Sequence, residues 1–455
     1  MRTGEKRYQA LLLAEAANPA LSSVALIGWS MSRALMGEVD GLLVTELRNR
    51  EAIEREGGVS EGAVEYIDNR TLQNGAFQIS KWIRGGKSLG WTAHTALNSM
   101  VYPFFEKKVW AEYGDRIQAG EFDVVHRITP VSPTAPSLLA RKCAEVGVPF
   151  VLGPINGGTP WPDEFAHLWK KEREWLAPVR SAHRWMPGFR RTRAASSAIL
   201  LASKHAFTEI PEEYLEKCLY LNDNAFDVNR FPEPPGKPKV GPLRVVFIGR
   251  LVPYKGADML IEAVAPLVRE GKVVLDLIGD GPERGKLEKI VDAENIGGGV
   301  TFPGWLDHRK VHTRLGEAHV FAFPSVREFG GGVVLEAMGM GVVPVVLDHG
   351  GPPEFIGEGM GYAMPMGNRD EVVARFRGRL DEMVGRIPEL LEMGARCREH
   401  VLKYYTWEAK ARQLKEVYAW VCGNREGKPC FGFEPRGLGL AVNSDDGETT
   451  EDKTE

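Results

Sequence analysis

The chain has 455 residues, of which 43% are hydrophobic and 26% are charged. This composition is typical of a folded globular protein, and the length predicts two or three domains. A formal net charge of −4 excludes a globally basic nucleic-acid binder, and five scattered cysteines without a Cys-x-x-Cys pair argue against a disulfide framework or a zinc site.

Short apolar runs alternate with segments of helical periodicity along the chain. Apolar runs without polar alternation are typical of parallel strands, which are buried on both faces. The pattern therefore predicts an α/β fold with two doubly wound Rossmann-like domains. The predicted strands of the first half are Gln9–Ala14, Gly41–Thr45, Asp123–His126, Phe150–Leu152 and Ser197–Leu201. Those of the second half are Leu243–Ile248, Val274–Ile278, Val300–Phe302, His319–Phe323 and Val343–Leu347.

A proline-rich stretch over residues 231–238 divides the two halves. It cannot continue a helix or a central strand, and the strand–helix alternation restarts directly after it. We interpret it as a linker; a surface loop within one domain is the alternative. The predicted parts are an N-terminal domain (1–222), a linker (223–242), a C-terminal domain (243–403), a helical segment returning to the N-terminal domain (404–435) and a disordered acidic tail (436–455).

The N-terminus imitates a signal peptide, because basic residues precede the apolar run Ala10–Ala14. The run ends at Glu15, short of the roughly 7–15 apolar residues of a signal peptide, and we interpret it as a first buried strand. No stretch reaches the roughly 20 apolar residues of a spanning helix. We expect a cytoplasmic protein, either soluble or peripheral at the inner face of the membrane.

Cations and aromatic residues interleave between Trp169 and Arg193. One interpretation is a membrane-surface patch that reaches a lipid-linked acceptor. The other is a solvated helix face whose aromatic side chains turn inward, and Glu172 and Glu174 dilute the positive charge. The sequence leaves both interpretations open.

Two cations follow the first strand of the second half. Leu243–Ile248 runs into a glycine-flanked loop that carries Arg250 and Lys255. Anionic ligands of doubly wound sheets bind at the carboxyl ends of the strands, and a guanidinium together with an ammonium suits a diphosphate. The loop therefore predicts a diphosphate site, with two solvated cations on an ordinary loop as the alternative.

A second motif follows the strand His319–Phe323, where Glu328 and Glu336 bracket three consecutive glycines. Glycine lets the backbone approach a ligand closely, and a helix beginning near the third glycine offers free N–H groups to phosphate. Glu328 precedes this helix and can face the cleft. Glu336 lies about one turn inside it, where it either reaches a ribose or simply complements the helix dipole. The amides predicted to bind the diphosphate are those of Gly331, Gly332 and Val333.

Together these segments resemble glycosyltransferase family 4, the retaining enzymes of the GT-B fold. The resemblance covers about Leu243 to Pro365 and includes Phe-Ile-Gly-Arg-Leu, Leu-Ile-Gly-Asp-Gly-Pro and Glu-x7-Glu-Ala-Met-Gly-Met-Gly. It implies two Rossmann-like domains that face each other across a cleft. In one departure, Phe329 directly follows Glu328, whereas the family usually places a glycine before the aromatic residue. The departure changes the segment that is expected to position the donor sugar.

The resemblance also implies a role for each matching residue of the second half. Arg250 and Lys255 neutralise the donor diphosphate, and Glu336 holds the ribose hydroxyls. Glu328 contacts the donor sugar. The nucleobase is expected to lie against Trp305 and Leu306.

In the first half, Asp-Val-Val-His at residues 123–126 matches a family motif whose histidine lies against the reacting sugar. The resemblance thus implies a catalytic role for His126, with a structural histidine as the alternative. Two loops rich in proline and glycine, 127–136 and 153–162, look like those of a particular bacterial subgroup. The loop 18–25 lacks the paired glycines that many members use, so serines are expected to replace them. The predicted cleft residues of this domain are Asn18, Ser22, Ser23, Asn156 and Gly157.

The resemblance implies a retaining glycosyltransferase that moves a sugar from a nucleoside diphosphate sugar to a hydroxyl of a glycan, glycolipid or small molecule. No Asp-x-Asp occurs, so the usual metal-chelating carboxylate pair is missing, and we expect neither a metal nor another cofactor. We expect no nucleic-acid partner. Two alternatives remain: a non-catalytic sugar-nucleotide sensor or scaffold, and a retaining phosphorylase or epimerase on the same fold.

Overall fold

The computed structural model describes residues 6–69, 91–171, 187–231, 233–234 and 236–432. These residues form two lobes, and each lobe is built on one parallel sheet. The first sheet has the strand order β3-β2-β1-β4-β5-β6-β7 and the second the order β10-β9-β8-β11-β12-β13. In both sheets the chain starts near the middle, builds outward to one edge and then returns to build the other, which is the doubly wound topology that was predicted.

The strands of the N-terminal lobe are β1 Gln9–Ala14, β2 Asp40–Glu46, β3 Val64–Ile67, β4 Val124–Thr129, β5 Phe150–Ile155, β6 Ala198–Leu201 and β7 Cys218–Tyr220. Its helices are α1 Val24–Glu38, α2 Arg50–Glu56, α3 Trp91–Gln118, α4 Leu138–Glu145, α5 Ala166–Lys171, α6 Pro187–Ala195 and α7 Lys204–Thr208.

The strands of the C-terminal lobe are β8 Leu243–Ile248, β9 Val273–Ile278, β10 Val300–Gly304, β11 Val320–Phe323, β12 Val343–Leu347 and β13 Tyr362–Met364. Its helices are α8 Ala257–Arg269, α9 Arg284–Ala293, α10 His308–Glu317, α11 Gly332–Gly339, α12 Arg369–Met383 and α13 Ile387–Tyr404, and the chain then continues into α14 Trp407–Val421.

The apolar run of β1 is buried on both faces of its sheet. Leu11 and Leu13 pack into one hydrophobic cluster with residues of α3 and α4. Ala10 and Leu12 pack into the opposite cluster with residues of α1 and α14. Because both faces are covered by helices, every position from Ala10 to Ala14 is apolar, and the period-2 alternation of a half-exposed strand is absent.

The chain crosses between the lobes twice, and the two crossings lie side by side. After β7 it enters the C-terminal lobe at Phe226, whose N–H donates to the carbonyl of Tyr405 at 2.7 Å. It returns at Thr406, which forms an isolated parallel bridge with Phe226. Helix α14 then packs against α1, with Leu414, Val417 and Tyr418 in the core of the N-terminal lobe.

All ten predicted strands are present with small shifts of their ends, whereas β3, β7 and β13 were not predicted. These three strands contain only three or four residues and lie at sheet edges, so they carry too little apolar signal to stand out. The predicted linker is not free of the fold, because Phe226 and Phe231 lie in the core of the C-terminal lobe. The predicted acidic tail lies outside the described residues.

Candidate active site

The loops after β8 and β11 emerge side by side, because these strands are neighbours in the C-terminal sheet. Gly256 ends the first loop with φ +72°, and a Cβ atom there would lie 2.3 Å from the carbonyl oxygen of Pro324. Only glycine allows this conformation and this approach without strain. The N–H of Val326 also donates to the carbonyl of Tyr254 at 2.9 Å. The two motifs singled out in the sequence therefore share one wall.

Lys255 and Glu328 form an ion pair across these loops. Their side chains are only 14% and 19% exposed, and the Lys255 ammonium lies 5.0 Å from the centre of the Phe323 ring. The structure thus brings together the residue predicted to bind the diphosphate and the residue predicted to contact the sugar. An anion that binds Lys255 must share the ammonium with Glu328.

The N-terminus of α11 offers free peptide amides beside this pair. Among the described residues, the N–H groups of Gly332 and Val333 have no hydrogen-bond partner. The helix has no capping side chain and no acidic residue in its first turn, so its positive dipole end is uncompensated. Gly331 precedes it with φ +62°, a left-handed conformation that favours glycine. These features suit an anionic ligand.

Glu336 lies on α11, one turn beyond its start, and is partly buried. Burial disfavours the charged form and raises the pKa of its carboxyl from 4.5 to about 7, although Arg230 opposes this shift. No hydrogen bond of the Glu336 carboxyl to another described residue is present. Its acceptor oxygens therefore remain available to hydroxyl donors such as those of a ribose.

The raised pKa of Glu336 predicts a pH-dependent stability. Because the pKa is higher in the folded than in the unfolded chain, protonated Glu336 stabilises the fold below about pH 4.5, and this contribution is lost as the pH rises through about 7. This loss is worth on the order of 3 kcal/mol, and we expect the variant Glu336→Gln, which mimics the protonated form, to lack it. Melting temperatures of both proteins between pH 5 and 8.5 test this. Parallel pH profiles would contradict it.

Arg250 and Trp305 remain accessible at the same edge of the sheet. Arg250 is exposed and forms no salt bridge with another described residue. Trp305 is 78% exposed, so that its ring offers a face for stacking, while Leu306 packs against the core of the lobe. The predicted roles of these residues in diphosphate and nucleobase binding remain predictions.

His126 does not face the cleft, and the predicted contact with the reacting sugar is wrong for this structure. The side chain is 0% exposed and lies between Tyr418 and Gly153. A carbonyl oxygen can only accept, so Nε2 donates to Gly153 O and Nδ1 accepts from Tyr418 Oη, each at 2.6 Å. Burial lowers the pKa of His126 to about 4. This is the structural histidine that the sequence left open as the alternative.

Of the three predicted cleft residues in the loop before α1, one is buried and two are exposed. Asn18 is buried, and its Oδ1 accepts from the N–H of Ala20 at 3.0 Å, so it shapes the loop. Ser22 and Ser23 are exposed at the start of α1. Ser23 has φ +60°, which a non-glycine residue adopts at a cost, and its side chain forms no cap of the helix. The two serines remain candidates for ligand contact, whereas Asn18 does not.

Asn156 and Gly157 begin a segment that spans the two lobes, residues 156–162, which we call the inter-lobe loop. The Thr159 hydroxyl donates to the carbonyl of Glu328 at 3.2 Å, and Arg327 Nε donates to the carbonyl of Thr159 at 3.1 Å. The Arg327 guanidinium also lies 4.7 Å from the centre of the Trp161 ring. The loop therefore connects the predicted acceptor side directly to the Glu328 motif.

Three further residues at this site, Thr159, Arg327 and Asn224, were not predicted from the sequence. Thr159 and Arg327 follow β5 and β11, and loops at the carboxyl ends of parallel strands are the signal that was available. Asn224 belongs to the crossing after β7, and a Cβ atom on Gly332 would lie 2.8 Å from its Oδ1. The N-terminal half of the chain thus contributes a side chain at the start of α11, which no local pattern indicates.

A polar group at the carboxyl ends of β1 and β2 was also missed. Arg48 lies 2.7 Å from Glu46 and 3.3 Å from Glu15. Burial raises the pKa of Glu15 to about 7, partly opposed by Arg48. Because this group lies at the carboxyl edge of the N-terminal sheet, it is a candidate for recognition of a polar acceptor.

Most of the predicted membrane-surface patch, residues 172–186, lies outside the described residues. Phe189 and Arg193 are buried against each other, with the guanidinium 3.3 Å from the ring centre, and cannot contribute to a surface patch. Arg190 and Arg191 are exposed. No helix in the described ranges has the length and apolarity needed to cross a membrane. Within the same ranges no three His, Cys, Asp or Glu side chains cluster as metal ligands would.

Residues 230–389 match the family glycosyl transferases group 1. One phosphatidylinositol N-acetylglucosaminyltransferase subunit, from Arabidopsis thaliana, is 29% identical over 210 residues, 46% of this chain and 45% of that protein. The alpha-D-kanosaminyltransferase of Streptomyces kanamyceticus is 31% identical over 177 residues, 38% of this chain and 45% of that protein. The chain thus spans about half the length of these relatives.

Solved structures share the whole architecture at low sequence identity. A glycosyltransferase from Rickettsia africae superposes with a TM-score of 0.59 at 13% identity, over 92% of this chain and 100% of that one. Anabaena HepE in complex with UDP and glucose superposes with a TM-score of 0.54 at 16% identity, over 91% of this chain and 100% of that one. The predicted GT-B fold and the resemblance to glycosyltransferase family 4 are confirmed; the subgroup stays a prediction.

Proposed function

We propose that this chain, which has the GT-B fold and the motifs of family 4, transfers a sugar from a nucleoside diphosphate sugar to a hydroxyl acceptor with retention and without a metal. The main support is that the unbonded amides of Gly332 and Val333 lie beside the partly buried ion pair of Lys255 and Glu328. A diphosphate placed there meets a helix N-terminus and a cation in a partly desolvated site. The UDP in the HepE complex adds support for a nucleotide donor.

The chemistry follows from the charges that develop during transfer. The bond between the anomeric carbon and the phosphate oxygen breaks, and negative charge grows on the departing diphosphate. Arg250, Lys255 and the amides at the start of α11 stabilise this charge. The acceptor oxygen attacks on the same face, and its proton passes to the departing phosphate oxygen, so that retention needs no protein nucleophile. With His126 buried, Glu328 is the remaining predicted contact of the sugar.

Two measurements test the proposed function. A thermal-shift screen of UDP, GDP and ADP with their sugars should raise the melting temperature for one nucleotide, because a ligand that binds only the folded state stabilises it. Release of that nucleoside diphosphate from its sugar should then depend on an added hydroxyl acceptor. Binding without hydrolysis or transfer would favour the sensor or scaffold, and release that requires inorganic phosphate would favour a phosphorylase.

Replacing Glu328 by glutamine should change binding and turnover in opposite directions. The substitution removes a carboxylate that competes with the diphosphate for Lys255, so we expect UDP to bind roughly threefold to tenfold more tightly. The same change removes a contact to the donor sugar, and turnover should fall on the order of 10². Calorimetric titration with UDP and initial transfer rates measure the two effects.

The matched control for Glu328→Gln is Glu317→Gln. Glu317 pairs with Arg244 at 3.2 Å on the surface of the same lobe, so this substitution also removes a carboxylate from an ion pair. It should change neither UDP affinity nor turnover. Weaker UDP binding by Glu328→Gln would show that Glu328 supports the diphosphate site instead of competing for its cation.

A further inference from the structure

A cavity of about 870 Å³ lies beside the two crossings between the lobes. We call it the hinge cavity. Its walls come from the end of β7, from the segment 354–357 after β12, from the facing parts of α13 and α14, and from the segment 430–432. Its described lining includes none of the residues predicted to bind the donor. The cavity is therefore a second compartment, separate from the cleft.

The hinge cavity is rich in cations. Lys403 and Arg412 are exposed at its rim, and neither forms a salt bridge with another described residue. Lys204 also lines the cavity. Lys410 lies deeper, 2% exposed, with its ammonium donating to the carbonyl of Asn222 at 2.6 Å. Burial lowers the pKa of Lys410 to about 7, so that at neutral pH it is only partly charged, and the charge of the cavity comes mainly from the exposed cations. This set of cations suits an anionic ligand.

The two carboxylates of the hinge cavity do not cancel this charge. Glu416 pairs with Arg425 at 2.9 Å. Glu354 accepts hydrogen bonds from the N–H of Lys204 at 2.8 Å and from Tyr220 Oη at 3.0 Å. Burial also raises the pKa of Glu354 to about 7, so that at neutral pH it is only partly charged. The cavity thus keeps an excess of positive charge.

Aromatic rings make up much of the remaining wall. Tyr404 is exposed at the rim, where the Lys403 ammonium lies 4.8 Å from the centre of its ring. Tyr405 and Phe355 lie further in and pack edge to face, with their ring centres 5.4 Å apart. Ring faces beside cations match a ligand that carries both an apolar ring and an anionic group.

Phe355 also connects the hinge cavity to the donor site. Besides its contact with Tyr405, its ring would lie 3.1 Å from a Cβ atom on Gly331. Gly331 precedes α11 directly, and the N–H of the nearby Gly351 donates to the carbonyl of Glu328 at 3.1 Å. A ligand that shifts the segment 354–357 therefore acts on the residues that present the amides of α11.

We propose that the hinge cavity binds a phosphorylated ring compound and that this binding changes the affinity of the cleft for its nucleotide. The phosphate group is bound by Lys403 and Arg412, with the ring against Tyr404 and Tyr405, while Phe355 lies behind Tyr405 in the core. The two sites are coupled because the wall of one supports the N-terminus of α11 in the other. Such coupling is reciprocal, so the nucleotide changes the affinity for the second ligand by the same factor.

Phenyl phosphate is the probe that tests this site, because it combines one ring with one phosphate. It is titrated into the protein by calorimetry with UDP present at saturation, so that the anion site of the cleft is occupied. We expect it to bind more tightly than either inorganic phosphate or phenol. The double variant Lys403→Ala/Arg412→Ala should weaken its binding at least tenfold. Lys289→Ala, which removes an exposed cation from α9, is the matched control and should bind like the unchanged protein.

The coupling is read from UDP titrations with and without saturating phenyl phosphate. The UDP dissociation constant should change at least threefold in the unchanged protein and stay constant in the double variant. If phenyl phosphate does not bind, or binds the double variant as tightly as the unchanged protein, the proposed binding site is wrong. Binding with an unchanged UDP affinity would overturn the coupling. If the chain binds no UDP, the proposed function fails, but the phenyl phosphate titration still tests the hinge cavity.

Discussion

Replacing Arg250 by alanine is expected to lower the rate of sugar transfer by on the order of 10²–10³, by analogy with the loss of one preorganised electrostatic donor. Arg250 is exposed beside the loops that carry Lys255 and the Gly331–Val333 segment, and no described carboxylate pairs with it. Its charge is therefore available to the departing diphosphate. Because the interaction strengthens as charge develops, turnover should fall more than UDP affinity does.

Two variants give this prediction its controls. Arg250→Lys keeps the charge but loses the planar fork, and should recover only part of the lost rate. Arg269→Ala removes a half-exposed arginine that pairs with Glu294 at the far end of α8, and should leave the rate unchanged. Full activity of Arg250→Ala, with unchanged UDP binding, would contradict a role in the diphosphate site.

Replacing His126 by leucine should destabilise the fold and leave the chemistry almost intact. The substitution leaves Tyr418 Oη and Gly153 O buried without their partner, which costs roughly 2–5 kcal/mol in total. The melting temperature should fall clearly. The imidazole is fully buried against α14, so we expect the transfer rate of the folded variant to stay within about threefold of the rate of the unchanged protein. If His126 were instead a catalytic acid or base, its loss would lower the rate on the order of 10².

Tyr418→Phe provides a second test of the same hydrogen bond. It removes the hydroxyl from the other side and should cost about 1 kcal/mol, again without loss of transfer. The pH dependence gives a further check. The pKa of His126 is lower in the folded chain than the ordinary 6.5, so its contribution to stability is present above that pH and is lost as the pH falls towards about 4. His126→Leu should lack this acid-dependent loss. A stable, inactive His126→Leu would restore the catalytic interpretation.

The local pattern was sufficient to predict the strands and the order of the site motifs. β1, β8 and β12 lie where their apolar runs predict them, because a strand covered on both faces needs an apolar residue at each fully buried position. The cations of the 249–256 loop and the glycines before α11 also follow their strands as predicted. Since the carboxyl ends of parallel strands meet at one edge, neighbouring strands bring these motifs together without further information.

What each side chain contacts depended on the tertiary structure. His126 is structural because Tyr418, 292 residues away, lies against its Nδ1, and no pattern around residue 126 encodes that partner. Lys255 pairs with Glu328, 73 residues away, so the predicted diphosphate cation is already shared with a carboxylate. The hinge cavity exists only because the crossings at Phe226 and Thr406 lie side by side. Composition and periodicity determine which segments are buried. Whether a particular polar group is buried, and which partner it has, depends on which distant elements pack together.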